Sequence, residues 1–286
     1  MKVTRTLQSP ETIRTEALAT VVFEKEDGAP DGNFQRLDKL TGGMLSELAA
    51  SGEAAGKPFE PALLHRPPGI AASRLLLIGG GKLSRFDTAQ LRKAAGAALR
   101  FLKSKGVHEF VFVPSGGLDA AALVAAAAEG VIAADFEPDV YKTDKKDERR
   151  IDSVAIAAGP DAAGVSAALE RAVITAEAQN FARDLVNEPA NRLMPKDLVA
   201  RAQQVAQETG LAIDVLDQQR MQSLGMGALL GVAQGSAEPP ALIVLRYRPA
   251  KPPSSNAHLG LVGKAVTFDT GGISIKPADG MEKMKY

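Results

Sequence analysis

Cysteine is absent from all 286 residues, which excludes disulfides and thiolate metal sites outright. That absence suits a reducing compartment. A surplus of either charge is also missing, since 34 basic residues balance 34 acidic ones. The sequence therefore gives no electrostatic case for nucleic acid or an anionic membrane as the main partner. The N-terminal MKVTRTLQSPETIRTEALATVVFEK lacks the apolar core of a signal peptide. No apolar run approaches the roughly eighteen residues that would span a bilayer. A cytoplasmic protein is expected.

Several catalytic signatures are lacking too. Gly79-Gly80-Gly81-Lys82 follows an apolar run, yet it matches neither G-x-x-x-x-G-K-[ST] nor G-x-G-x-x-G, so a tight strand-to-helix turn is expected. The histidines, His65, His108 and His258, are far apart and have no metal-ligand spacing. Ser115 and Ser274 sit outside any G-x-S-x-G elbow, which leaves serine hydrolase chemistry little support.

What is present is an ordinary globular composition, 45% hydrophobic and 24% charged, at a length comfortable for two domains. Residues 16–23 read as a strand, and 34–50 show helical spacing at Leu37, Leu40, Met44 and Leu48, weakened by Gly42 and Gly43. The stretch PFEPALLHRPPGI reads as an extended segment ending in a proline turn. A buried strand is expected over 73–78, a helix over 87–105 stopped by Gly106, a strand over 107–113 and an alanine-rich helix over 118–134. This β-α-β-α alternation predicts a parallel or mixed sheet with helices on its faces. The charge run TDKKDERR reads as a solvated loop, and 153–157 as another strand closed by Gly159-Pro160. The domain boundary is placed there, giving domains of 1–160 and 161–286.

Beyond it, 164–185 reads as one long linking helix, interrupted by Asn187-Glu188-Pro189-Ala190-Asn191. A helix over 195–209 starts on proline and stops at Gly210. A strand over 211–216, a short helix over 218–224 and the glycine-rich 225–236 follow. Two further strands are expected, 241–247 and 259–268, both apolar and central in a sheet.

The last 28 residues, LGLVGKAVTFDTGGISIKPADGMEKMKY, concentrate the chemistry. Lys264, Asp269 and Lys276 lie among apolar neighbours that would bury them, and buried charge is costly unless paired or metal-bound. Asp269 stands where a strand runs into Thr-Gly-Gly, and α/β proteins present ligands at such strand ends. A carboxylate there can bridge hard divalent cations. Lys264 projects from the opposite face of an ideal strand and joins Asp269 only if the chain bends between them. Lys276 could polarise a carbonyl. The same spacing also fits an ion pair flanking a glycine turn.

These residues carry a resemblance. The segment 262-VGKAVTFDTGGISIKP-277 with GMEKMKY closely resembles the signature of the leucyl aminopeptidase (cytosol aminopeptidase, M17) family of metallopeptidases. The upstream 181-FARDLVNEPANRLMPKDLVARA-202 looks like the opening of that family's catalytic domain, and 129-EGVIAADFEPDVYKTDK-145 more loosely like the end of its N-terminal, macro-like domain. The resemblance implies an α/β fold: an N-terminal macro-like domain, a linker helix, and the first part of an α/β metallopeptidase domain. It implies a homo-hexamer that removes leucine and similar residues from peptides with a free N-terminus, using two divalent metal ions, Mn²⁺ or Zn²⁺. Carried over by position, Lys264 would ligate one metal, Asp269 would touch both, and Lys276 would assist at the scissile carbonyl as the catalytic residue. A ligating lysine must be neutral, and burial beside two cations is what would depress its pKa.

The family pattern continues with an aspartate directly after the M-K-Y segment and with a later N-T-D-A-E-G-R segment, and this sequence has neither. The resemblance thus implies a chain truncated within the catalytic domain and inactive alone, because two candidate ligands cannot hold two metals. It also implies an apolar sheet edge left open to association. The competing class is a non-catalytic macro-like nucleotide-binding or assembly module built on the first half.

Overall fold

The computed structural model describes residues 1–25, 32–144, 149–158, 164–251 and 258–281. The chain divides into two compact units, Met1–Arg183 and Asp184–Tyr286.

The first unit is built on a sheet whose central strand, β2 (Ala17–Val22), is buried along its whole length. Such a strand must read as a continuous apolar run, and ALATVV does. It pairs in parallel with β4 (Arg74–Gly79), Leu18 opposite Leu75, and with β5 (Glu109–Val113), Ala17 opposite Phe110. β6 (Ser153–Ala157) adds in parallel to β5, and β1 (Lys2–Thr6) in parallel to β6. At the other edge β3 (Pro61–His65) runs antiparallel to β4. The order is β1-β6-β5-β2-β4-β3, the mixed sheet that the alternating pattern predicts. β1 itself is an addition to that reading.

Alternate residues of β2 serve two cores. Ala17, Ala19 and Val21 face a layer holding α3 (Thr88–Ser104), α4 (Ala120–Ala134) and the start of α5 (Val165–Asn187). Leu18 and Val22 face α1 (Gly32–Leu40) and α2 (Met44–Ser51) through Leu37 and Leu45. The single helix expected over 34–50 is two. Thr41 closes α1, its hydroxyl donating to the Leu37 carbonyl at 2.9 Å, and Gly42 and Gly43 take left-handed φ values of 69° and 92° that end one helix and start the next.

Helix starts follow the sequence closely. Asp87 caps α3 by accepting from the Gln90 N–H at 2.8 Å, and Asp119 caps α4 by accepting from Ala122 at 2.9 Å. At the far end of α4, carbonyls of the last turn are also met from α5. Asn180 donates to the Ile132 carbonyl at 2.8 Å, and Arg183 donates to that of Ala133 at 2.8 Å while stacking 3.9 Å over Phe136. The glycine turn at 79–82 spends its amides on the main chain: Gly79 donates to Glu60, Gly80 to Val22 and Gly81 to Gly56. It is the tight turn expected, with none of those three amides left to cradle a phosphate. Gly159 and Pro160 lie outside the described residues, as does 145–148 within the expected solvated loop.

In the second unit α5 ends at Asn187, and Pro189 accepts from Arg192 and Leu193 at the corner. α6 (Pro195–Thr209) starts on its proline and ends at Gly210, φ 72°. β7 (Ala212–Leu216) pairs antiparallel with β8 (Leu242–Arg246), Asp214 opposite Val244. Between them lie α7 (Gln218–Ser223) and α8 (Gly227–Ala233), the latter inside the glycine-rich stretch. Two expectations fail here. Residues 259–268 form no strand, and β8 is not central, since among the described residues it pairs only with β7 and its last two positions are exposed. An apolar run becomes a buried strand only when neighbouring strands supply hydrogen bonds and a helix covers its face. No described element does either for 259–268.

Candidate functional site

Lys264, Asp269 and Lys276 all lie in 258–281, a stretch that is largely exposed instead of buried as expected. Val262 is 99% exposed and Ile273 fully so. Order within this stretch is local and concentrates at 269–276. One carboxylate oxygen of Asp269, Oδ1, accepts from the Gly271 N–H at 2.8 Å. The other, Oδ2, lies 3.0 Å from Lys276 Nζ, which also donates to the Asp269 main-chain carbonyl at 3.3 Å. The Lys276 N–H donates to Thr270 O at 2.8 Å. Eight residues thus close on themselves.

Glycine makes the closure possible. Gly271 has φ 89°, and a Cβ there would fall 2.2 Å from the Ser274 carbonyl oxygen. The aspartate and the first glycine of D-T-G-G are therefore both used by the backbone: the aspartate to receive an amide, the glycine to let the chain fold back.

The electrostatics follow from these contacts. Asp269's carboxyl is held below the usual carboxylate range, first by the Gly271 N–H, then by the hydrogen bond and charge of Lys276, with a smaller pull from Lys264. Its side chain remains 58% exposed, against 27% for Lys276. Lys264 is exposed, and its carbonyl accepts from Val266 at 3.1 Å. The structure therefore brings Asp269 and Lys276 together directly and leaves Lys264 as a more distant charge. Of the alternatives open in the sequence, the ion pair across a glycine turn is the one formed here.

Hard divalent cations ask for oxygen donors, with nitrogen able to join when it is deprotonated. Asp269 meets that requirement in kind, because its carboxylate and its main-chain oxygen already hold a cation, the Lys276 ammonium. In number the donors fall short. Among the described residues no group of three or more His, Asp or Glu gathers to hold a metal ion.

A concavity of about 480 Å³ opens in the first unit where β5 and β6 end. Its walls include Leu7, Asn33, Arg36, Pro114, Leu123 and Ala158. The crevice at the carboxyl ends of parallel strands is the usual ligand position in such sheets. Arg36, its one charged lining residue among those described, meets Glu11 at 3.2 Å. Sequence reasoning missed this cleft. Its walls come from five separate stretches of chain, and only the topological rule for strand ends could have pointed to it. The histidines stay apart: His65 ends β3, His108 precedes β5 with Nδ1 3.6 Å from Asp152, and His258 is exposed in the second unit.

Comparison with known proteins gives a consistent result. The cytosol aminopeptidase family matches twice, its N-terminal domain over residues 20–145 and its catalytic domain over residues 180–286. A probable cytosol aminopeptidase of Solibacter usitatus is 52% identical over 274 residues, covering 96% of this chain and 54% of its own length. One from Koribacter versatilis is 41% identical over 308 aligned residues, covering all of this chain and 59% of its own length. The chain thus spans about half the length of the curated relatives it matches. Among solved structures, the bottromycin maturation enzyme BotP in complex with Mn superposes with a TM-score of 0.73 at 26% identity, over 94% of this chain and 52% of that one. A tomato leucine aminopeptidase mutant superposes with a TM-score of 0.73 at 24% identity, over 85% of this chain and 50% of that one, a likeness of fold.

Proposed function

Because this chain belongs to the cytosol aminopeptidase family, we propose that the protein is a metal-dependent aminopeptidase that removes leucine and similar apolar residues from peptides with a free N-terminus. One observation carries the reading. The segment matched by the family's catalytic domain contains, at 269–276, a loop that already holds a cation against a carboxylate.

Within that reading Asp269, through its carboxylate, and Lys264, as the neutral amine, would be among the residues that hold two divalent ions. When bound, such ions supply an activated water and an electrophile for the scissile carbonyl. Lys276 presents its ammonium to that carbonyl, where negative charge develops. Gly271 sets the direction of Asp269 by donating to Oδ1. The relative solved with Mn supports Mn²⁺ as the first ion to try, with Zn²⁺ second. We take residues 1–160 as the N-terminal domain and 161–286 as the linker helix α5 followed by the first part of the catalytic domain, a division supported by the gap between the two family matches. Assembly as a homo-hexamer and a cytoplasmic location complete the reading.

The 286-residue chain alone is expected to be inactive, since its described residues supply too few ligands. Release of a chromogenic amine from a leucine amide, assayed with Mn²⁺ or Zn²⁺ with and without chelator, tests both statements. A protein of the full length of the curated relatives, carrying these 286 residues, should turn over and lose activity to the chelator. This chain should not turn over at all. Chelator-sensitive turnover by this chain overturns its inactivity, and absence of turnover in the longer protein overturns the function.

The competing reading, a nucleotide-binding or assembly module, has the cleft at the ends of β5 and β6 in its favour. The pairing of Arg36 with Glu11 leaves that cleft without a free charge for a phosphate among its described lining residues.

A further inference from the structure

We infer that α5 is a strap that closes the first unit, with Asn180 and Arg183 as its clasp, so that the residues opening the catalytic-domain match are held by the N-terminal half. The inference goes beyond the proposed function and uses none of its chemistry.

α5 is bedded through one stripe. Val165, Leu169, Ala172 and Ala176 are buried in the core shared with α3 and α4, at the three- and four-residue steps of a single helix face. Continued by the same steps, that face reaches positions 180 and 183, where the sequence places Asn and Arg instead of apolar side chains. The change of chemistry matches the partners. There the apolar body of α4 gives way to the carbonyls of its last turn. Asn180 Nδ2 donates to Ile132 O at 2.8 Å, and Arg183 Nη1 donates to Ala133 O at 2.8 Å. Arg183 also donates to Asn180 Oδ1 at 2.9 Å, so the two clasp side chains brace each other.

Arginine suits this place for three reasons. Its charge meets the negative end of the α4 dipole. Its plane lies 3.9 Å from the centre of the buried Phe136 ring. Its fork lets one side chain reach two acceptors. Ile132, Ala133 and Phe136 fall within the N-terminal domain match, residues 20–145, whereas Asn180 and Arg183 fall within the catalytic one. A residue pair from one domain of the family thus completes the other. α5 is a linker in chain order and, as far as Arg183, a piece of the first unit in packing.

Amide hydrogen exchange on the 286-residue chain, resolved along α5, reads the clasp directly. Arg183→Ala should speed exchange over 179–187 about five- to thirtyfold, while 166–174, held by the apolar stripe, stays at the parent rate. Asn180→Ala should act on the same segment and add less than its single effect when combined with Arg183→Ala, because the pair is braced. Arg171→Ala, at an exposed position on the opposite face, should leave both segments at the parent rate. Unchanged exchange over 179–187 in Arg183→Ala overturns the clasp. Equal acceleration along the whole of α5 overturns it as well, because the helix would then open as one piece. Arg183→Lys keeps the charge, loses the plane and the fork, and should exchange at an intermediate rate. It decides the matter alone if Arg183→Ala fails to fold, since a rate equal to the parent's overturns the role of the guanidinium. Metal and turnover enter none of these readings, so the proposed function stands or falls separately.

Discussion

Asp135 shows how a single side chain can work against the fold that contains it. It closes α4, donating its N–H to the carbonyls of Val131 and Ile132, and its carboxylate faces the negative end of that helix. Burial raises its pKa above the ordinary carboxylate value, and Lys103 at 3.6 Å only partly offsets this. A raised pKa means that the folded state binds the proton more readily than the unfolded one, so the penalty is present at neutral pH and is relieved as pH falls through the folded value. Asp135→Asn should therefore melt about 1–4 °C higher at neutral pH, with the gain shrinking as pH falls into the carboxylate range. A gain that persists undiminished in acid would overturn this account. At this scale the site residues were legible by type, since Lys264, Asp269 and Lys276 stand out from their apolar surroundings. Their pairing was not. It depends on the left-handed turn at Gly271 and Gly272, which brings residue 276 back to residue 269.

Among the helices, α3 and α4 approach each other closely. A Cβ on Gly130 would fall 2.2 Å from the Arg92 carbonyl oxygen, and one on Gly96 would fall 3.1 Å from the Ala134 methyl. The alanine-rich sequence of α4 and these two glycines let the backbones approach closely. Gly130→Ala should thus destabilise by about 1–3 kcal/mol or more in urea unfolding, because backbone must shift to admit the methyl. Gly96→Ala, whose added methyl would meet the Ala134 methyl at 3.1 Å and the Gly130 carbonyl oxygen at 3.2 Å, longer than the 2.2 Å at Gly130, should cost less, and unchanged stability of Gly130→Ala would refute the close approach. Elements with their own signals were readable: α3 from Gly106 at its end, α4 from its alanine-rich run, α6 from Pro195 and Gly210. Those decided by partners were not. Residues 259–268 have the composition of a buried strand, and no described strand pairs with them. β1 is short and partly exposed, so it carries little apolar signal of its own and is recruited by β6.

The whole molecule combines a closed first unit with a second whose last stretch is rich in bare apolar side chains. Leu259, Leu261, Val262 and Ile273 are each more than 85% exposed, and Phe268 and Ile275 more than 60%. Exposed apolar surface of this kind drives association. The chain is expected to self-associate at concentrations on the order of 100 µM, as seen by sedimentation velocity. Substituting Val262→Lys together with Ile273→Lys should suppress that association. A monodisperse parent that melts cooperatively would count against it. The overall plan was readable from alternation alone in the first unit, where β5 and β4 flank β2 as parallel strands. In the second unit it was not, since the sign of the β7–β8 pairing is a property of connections and not of strand composition.

The self-closure of 269–276 also sets an order in time. A loop of this length closes within roughly 10–100 ns, whereas a sheet that joins residues 2 and 153 must wait for distant chain to meet. On a chain emerging from synthesis, Asp269 would meet its neutralising partner only seven residues after it is made. The carboxylate of the candidate centre is thus chaperoned by its own sequence, within a stretch of eight residues.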